Sequence, residues 1–309
     1  MTTLLYTHPS CLAHDPGQYH PETPARLKSV LDALSTPDFA ALERREAPQA
    51  TIEDLTRVHP QRFVERLLAA VPVTGHVAID ADTVMSPRSG EAALHAAGAV
   101  AAAVDAVIAG EADNAFCAVR PPGHHACPSR AMGFCLFNNV AVGALRARQV
   151  HGLKRLAVVD FDVHHGNGTQ DCFWDDASLF YGSTHQSPFY PGTGSASETG
   201  VAGNIVNVPL PPMSGSQAFR LGMTRTLLPA LDAFGPELLM ISAGFDAHRA
   251  DPLAQLLLDE ADYTWVTERL LEIARQHAGG RVVSTLEGGY DLQALGASAA
   301  AHVRVLMSV

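Results

Sequence analysis

The sequence predicts an α/β fold in which a central parallel sheet is flanked by helices. Three observations predict it. Strand-like and helix-like hydrophobic patterns alternate along the chain, the arrangement that gives crossover units and parallel strands. Four apolar runs, Ala115–Val119, Arg155–Asp160, Leu238–Ala243 and Arg281–Leu286, lack in/out alternation, as strands covered on both faces do. No stretch rich in Pro, Gly or Ser is long enough to separate two bodies, so residues 1–309 read as one catalytic-sized domain.

The elements follow in order. The first 80 residues carry a strand at Thr3–His8 and helices at Pro24–Leu34 and Gln61–Val71. An alanine-rich helix runs from Ser89 to Ala109 and stops at Gly110, a residue that turns left-handed without cost. A helix at Asn139–Gln149 comes next. Ser214-Gly215-Ser216-Gln217 has capping-box spacing and opens a helix towards Phe234, closed by Gly235-Pro236. Asp259–His277 is amphipathic, with Leu270, Leu271 and Ile273 on its apolar side.

Composition narrows the function. At 47% hydrophobic and 17% charged, the chain buries a core and is not disordered. A net charge of −11 argues against a nucleic-acid partner, which needs a basic surface, and favours cationic substrates. Five cysteines without CxxC spacing exclude a zinc finger or a disulfide framework. The start has no basic region followed by an apolar one, so a reduced, cytoplasmic location is expected. Ala92–Ile108 is the most apolar stretch, but Asp105 cuts its uncharged part below bilayer length, so no membrane partner is expected. Histidine, with 15 copies, is over-used and clusters in short motifs.

Each of the four apolar runs ends in such a motif. They are Arg120-Pro-Pro-Gly-His-His125, Phe161-Asp-Val-His-His-Gly-Asn-Gly168, Gly244-Phe-Asp-Ala-His248 and Glu287-Gly-Gly-Tyr290. Ligands of open parallel sheets bind outside the carboxyl ends of strands, so the four motifs converge on one crevice. Asp162 and His164, two residues apart on extended backbone, face the same way and can share a metal ion; Asp246 can supply a third ligand from another strand end. Two carboxylates and one imidazole leave an open position, as catalytic zinc sites do. His124 and His125, after the stiff Pro121-Pro122-Gly123, suit base and acid or electrostatic roles near neutral pH. Gly288-Gly289 lets the backbone approach closely and delivers Tyr290 as a hydrogen-bond donor. Gly166-Asn167-Gly168 reads as a tight turn. No GxSxG elbow, Walker A or GxGxxG sequence is present. Cys135, between Phe134 and Leu136, reads as a buried, unreactive thiol.

With Gly133-Phe134-Cys135 and His20-Pro21-Glu22 added, these motifs resemble the zinc-dependent histone deacetylase superfamily along nearly the whole chain. The likeness is to class II members and to bacterial histone deacetylase-like and acetylpolyamine amidohydrolases. The resemblance implies the arginase–deacetylase fold, a parallel sheet of about eight strands flanked by helices. It implies one zinc ion per chain on Asp162, His164 and Asp246. It makes His125 the general base, with His124 its electrostatic partner and Tyr290 the donor to the acyl oxygen. Phe134 and Tyr190 become tunnel walls, with Gly133, Leu253 and Gly288 beside them. Asp160 orients His124 and joins Asp162, His164 and Ser183 around a structural potassium ion. Asn167 stands behind His125, where class I members carry Asp, and Arg26 lies along an acetate-release channel.

The implied activity is zinc-dependent removal of acetyl or other acyl groups from the side-chain amine of lysine in a protein or peptide. An acetylpolyamine amidohydrolase, acting on a small acylated amine, is the alternative; a non-catalytic acyl-lysine binding module is a remote one. Leu253, after Asp251-Pro252, stands where a polyamine-selective relative would place a glutamate, which favours lysine substrates. A binuclear manganese ureohydrolase needs another acid after Asp162-Val163-His164, and His165 is there instead. Monomer and homo-oligomer both remain open.

Overall fold

The computed structural model describes residues 2–308. Its strands are β1 (Thr3–Thr7), β2 (Glu43–Glu46), β3 (Val77–Ala78), β4 (Val84–Met85), β5 (Asn114–Cys117), β6 (Leu156–Asp160), β7 (Leu179–Gln186), β8 (Ile205–Leu210), β9 (Leu238–Ala243) and β10 (Val282–Leu286). Eight of them form one sheet in the order β2-β1-β5-β10-β9-β6-β7-β8, and every neighbouring pair is parallel. β3 and β4 make a small antiparallel pair apart from it. The expected α/β architecture, an eight-stranded parallel sheet with helices around it, is what forms.

The chain visits both ends of the sheet before it fills the middle. β9 and β10 insert last, between β5 and β6. This places the carboxyl ends of β5, β10, β9 and β6 side by side, and these are the four runs that carry the motifs. All four strands are buried throughout, which accounts for their unbroken apolar runs. The alanine-rich helix Ser89–Ile108 is long and apolar enough to cross a membrane by composition, yet 72% of its most apolar window is buried inside the fold. Its small residues let it lie close to its neighbours: a Cβ on Gly98 would sit 2.0 Å from the Pro48 carbonyl oxygen.

Several elements differ from the sequence reading. Ser214 does not cap a helix; the helix opens at Ser216 after Gly215, without a side-chain cap, and continues through a wider turn at Met223–Leu227 to Phe234. The capping box instead forms at Asp259 and Asp262, ahead of helix Glu260–His277. Gly166-Asn167-Gly168 is not only a turn: Gly166 precedes a helix at Asn167–Phe173. β2 escaped notice because Glu43-Arg44-Arg45-Glu46 is wholly charged, a composition that protects an exposed sheet edge. The other edge, β8, carries Pro209, which only an edge strand tolerates well. Helix Leu292–Met307, capped by Asp291, also went unread.

Candidate active site

Three of the four strand-end motifs line one cavity of about 210 Å³, and the fourth, beyond β9, stands behind its wall. His124 and His125 reach it from beyond β5, His164 from beyond β6, and Gly288 and Tyr290 from beyond β10. Asp246, beyond β9, lies behind His164. Its Oδ2 and Asp162 Oδ1 both meet His164 Nδ1, at 3.1 and 3.0 Å. Ligand atoms of the three residues all fall within 4.8 Å of one another. The carboxylates are held from behind by backbone donors, Val163 N to Asp246 Oδ1 at 2.9 Å and Gly288 N to Asp162 Oδ2 at 2.7 Å. Only glycine fits at 288, because a Cβ there would lie 2.0 Å from Asp246 Oδ2. Burial opposes charge on His164, but the two carboxylates outweigh it and hold its pKa up to about 10. Two buried carboxylates aimed at one imidazole nitrogen form a site that favours positive charge, and the donor set fits a divalent metal ion.

The adjacent histidines are set apart by what stands behind each. His124 Nδ1 faces Asp160 Oδ2 at 2.9 Å. Burial works against its protonation, but Asp160, Asp162 and Glu287 prevail and lift its pKa to about 10. His125 Nδ1 faces Asn167 Oδ1 at 2.8 Å. Asn167 Nδ2 points to Cys127 Sγ at 3.2 Å, which leaves Oδ1 to accept from His125 Nδ1–H. His125 Nε2 therefore keeps a lone pair. Burial and the neighbouring charges on His124 and His164 push its pKa well below the usual histidine range. The carboxylate behind His124 favours its cation, whereas the amide behind His125 supports a neutral ring with a free Nε2 lone pair.

Tyr290 is placed from two sides. Its backbone N–H donates to Asp251 Oδ2 at 2.8 Å, and the Arg26 guanidinium lies 4.8 Å from its ring centroid. Burial pushes the phenol pKa well above 10, so it remains a donor. Arg26 is buried; it donates to the Gly289 and Glu287 carbonyl oxygens at 2.6 Å and to Glu22 Oε1 at 2.8 Å. Glu22 also binds Arg120 and lies 3.3 Å from His14. Phe134 and Tyr190 flank the cavity, with the Phe134 ring 6.1 Å from Tyr290 and the Tyr190 ring 5.2 Å from His125. Gly133 and Leu253 also line it. Ser183 pairs with Asp160 in the β6–β7 register, and its hydroxyl meets His185 Nδ1 at 2.9 Å. Cys135 is buried and its thiol pKa is raised well above 9 by that burial.

The structure adds residues that the sequence reading left without a role. Asp82 lines the cavity and accepts from Gly133 N at 3.1 Å. Glu287 Oε2 accepts from Gly123 N at 2.7 Å and His124 N at 3.2 Å, tying the β10 end to the histidine turn. Tyr181 donates to Asp160 Oδ2 at 3.0 Å, and Asp251 holds both Tyr290 and Leu253 N–H groups. Glu287 stood inside a motif and could have been found. Asp82, Tyr181 and Asp251 carry no local pattern.

Comparison with known proteins places this geometry. Residues 20–306 match the histone deacetylase domain. A histone deacetylase-like amidohydrolase of Pseudomonas aeruginosa is 44% identical over 88% of this chain and 72% of its own length. Histone deacetylase 14, chloroplastic, of Arabidopsis thaliana is 40% identical over 98% of this chain and 76% of its own. A probable deacetylase of Archaeoglobus fulgidus is 38% identical, with 95% and 82% covered. The crystal structure of the HDA15 HD domain superposes with a TM-score of 0.93 at 36% identity, covering 99% of this chain and 88% of that one. The chain belongs to the histone deacetylase domain family and is a hydrolase acting on amides.

Proposed function

We propose that the protein is a zinc-dependent deacylase that removes acetyl or other acyl groups from the side-chain amine of lysine in a protein or peptide. One observation carries the reading: the Asp162–His164–Asp246 cluster reaches, through His164, a cavity with aromatic walls that His125 and Tyr290 also line. Asp162, His164 and Asp246 would hold the zinc ion, and a potassium ion would sit beside Asp160, Asp162, His164 and Ser183. When bound, zinc supplies Lewis acidity towards water and the acyl carbonyl.

The chain's own groups do the rest. His125 Nε2 accepts a proton from the attacking water, with Asn167 fixing the tautomer that makes this possible. His124, paired with Asp160, places positive charge beside the developing negative charge. Tyr290 donates to the acyl oxygen as that oxygen gains charge. The proton taken from water then passes to the departing amine, so the amide is hydrolysed without a covalent enzyme intermediate. Phe134 and Tyr190 enclose the apolar stem of the lysine side chain, and Gly133 keeps the wall thin beside His125. Leu253 adds no charge at the mouth.

The acetylpolyamine alternative draws on Asp82, a carboxylate on the same cavity. Comparing kcat/KM on an acetyl-lysine peptide with that on acetylspermidine and acetylputrescine decides between them. The peptide should win, and Leu253→Glu should narrow the gap by giving a distal ammonium a partner. A preference of the unmodified protein for acetylpolyamines would transfer the assignment to the alternative.

A further inference from the structure

Asp251 has no part in the chemistry proposed above and does not line the cavity, yet it is buried beside it. Its Oδ2 accepts from the Tyr290 N–H at 2.8 Å and its Oδ1 from the Leu253 N–H at 2.9 Å. One carboxylate therefore grips the backbone of the phenol donor and of a cavity-wall residue at once. Its own N–H donates to the His248 carbonyl oxygen at 2.9 Å, in the segment that follows Asp246. Burial and the Asp246 carboxylate both oppose a charge at this place. Such a charge is costly unless it is hydrogen-bonded, and hydrogen bonds to an ionised group are about twice as strong as neutral ones.

The Tyr290 loop needs a firm hold. Gly288 and Gly289 precede the tyrosine, and Gly289 has a φ of 126°, a conformation open to glycine and strained for other residues. Left alone, the peptide unit between Gly289 and Tyr290 could rotate and carry the phenol away. Both of its ends are pinned. The Gly289 carbonyl oxygen accepts from Arg26 at 2.6 Å, and the Tyr290 N–H donates to Asp251. A peptide unit is planar, so fixing its oxygen and its N–H fixes the whole plane. The Tyr290 hydroxyl is reserved for the acyl oxygen, so its aim has to come from this plane and from the contacts of the ring.

We propose that Asp251 is a positioning residue for the hydrolysis: with Arg26 it clamps the Gly289–Tyr290 peptide, sets the aim of the Tyr290 hydroxyl and registers it against Leu253 on the cavity wall. This holds only if Tyr290 is the donor proposed above. Asp251 touches neither substrate nor reacting atoms and acts through the tyrosine.

A double-mutant cycle on kcat tests it. Asp251→Ala should keep its zinc and lower kcat on an acetyl-lysine peptide roughly 10–100-fold, because misplacing a reacting group by about 1 Å can cost that much. In the Tyr290→Phe background no hydroxyl is left to aim, and the same substitution should cost less than about threefold, a strong departure from additivity. Asp251→Asn keeps the size of the side chain and one acceptor oxygen; it should show the same non-additivity if Asp251→Ala does not fold. An equal loss in both backgrounds would overturn the role, since Asp251 would then act through packing or through its charge near Asp246. A loss below about threefold in the unmodified protein, far short of the cost of misplacement, would overturn it too. A nearly neutral Tyr290→Phe, read from its own arm of the cycle, would remove the donor role of the tyrosine and the positioning role with it.

Discussion

The middle of the sheet and its outer end bury polar groups in opposite ways. In the middle, the polar residues come after the strands. Asp160, at the tip of β6, and Asp162, Asp246 and Glu287 beyond the strand ends are all buried close to the cavity. Burial raises Asp160 and Asp246 above the usual carboxylate range and lifts Glu287 to about 7, despite the opposing charge on His124 at Asp160 and Glu287 and on His164 at Asp246. At the outer end, the polar residues lie within or beside the strands and close on one another. His185 Nε2 meets Gly194 O at 2.9 Å, His165 Nε2 meets Gln170 Oε1 at 3.0 Å, and Gln170 Nε2 donates to Glu198 Oε2 at 2.7 Å. A closed network specifies packing, whereas an excess of buried carboxylate facing a cavity waits for a cation and a substrate. Buried polarity alone does not mark an active site; polarity that stays unbalanced does.

The comparison is sharpened most by removing a donor from the middle. Tyr290→Phe should lower kcat by ~10²–10³, the usual cost of one oxyanion donor, with zinc content and KM nearly unchanged. Steady-state kinetics beside a zinc assay measure it. A loss of less than about threefold, far short of that range, would make Tyr290 a packing residue and remove the difference between the two regions.

The outer network should answer in stability instead. Gln170→Leu strips partners from His165, Asn207 and Glu198 and should cost about 1–3 kcal/mol in denaturant unfolding. The kcat/KM of the folded protein should not change. A catalytic loss with stability intact would show that the network serves the chemistry directly.

Acid probes the buried histidines that lie outside the cavity. Burial lowers His185 and His59 to about 4 and His302 to about 3, so each is neutral in the folded protein near pH 7. Unfolded, these groups bind protons below roughly pH 6.5. Their contribution is complete above that pH and falls away as pH drops towards 4, by up to ~1.4 kcal/mol per pH unit for each group. Melting temperature followed from pH 7 to 5 should decline, and His185→Gln should flatten the slope. An unchanged slope would mean that His185 titrates normally.

The same contrast explains what the sequence disclosed. β5, β6, β9 and β10 were legible because an unbroken apolar run met a charged motif at its end, and the motifs named His124, His125, Asp162, His164, Asp246 and Tyr290. β7 was not, since Tyr181, Ser183, Thr184, His185 and Gln186 break its apolar pattern and are buried all the same. Asp82 meets Gly133 across 51 residues of chain, and Glu22 meets Arg120 across 98. Such pairings leave no period or spacing to read. The Ser214 capping pattern misled because a four-residue pattern is weaker than the packing that set the helix start at Ser216.

The central claim is that Asp162, His164 and Asp246 hold the ion on which catalysis depends. Stripping the protein with a chelator and titrating zinc back while hydrolysis of an acetyl-lysine peptide is followed tests it directly. The metal-free protein should be inactive, zinc should restore the rate, and Asp246→Asn should stay inactive at any zinc level that revives the unmodified protein. Full activity in the metal-free protein, or full recovery in Asp246→Asn, would contradict it.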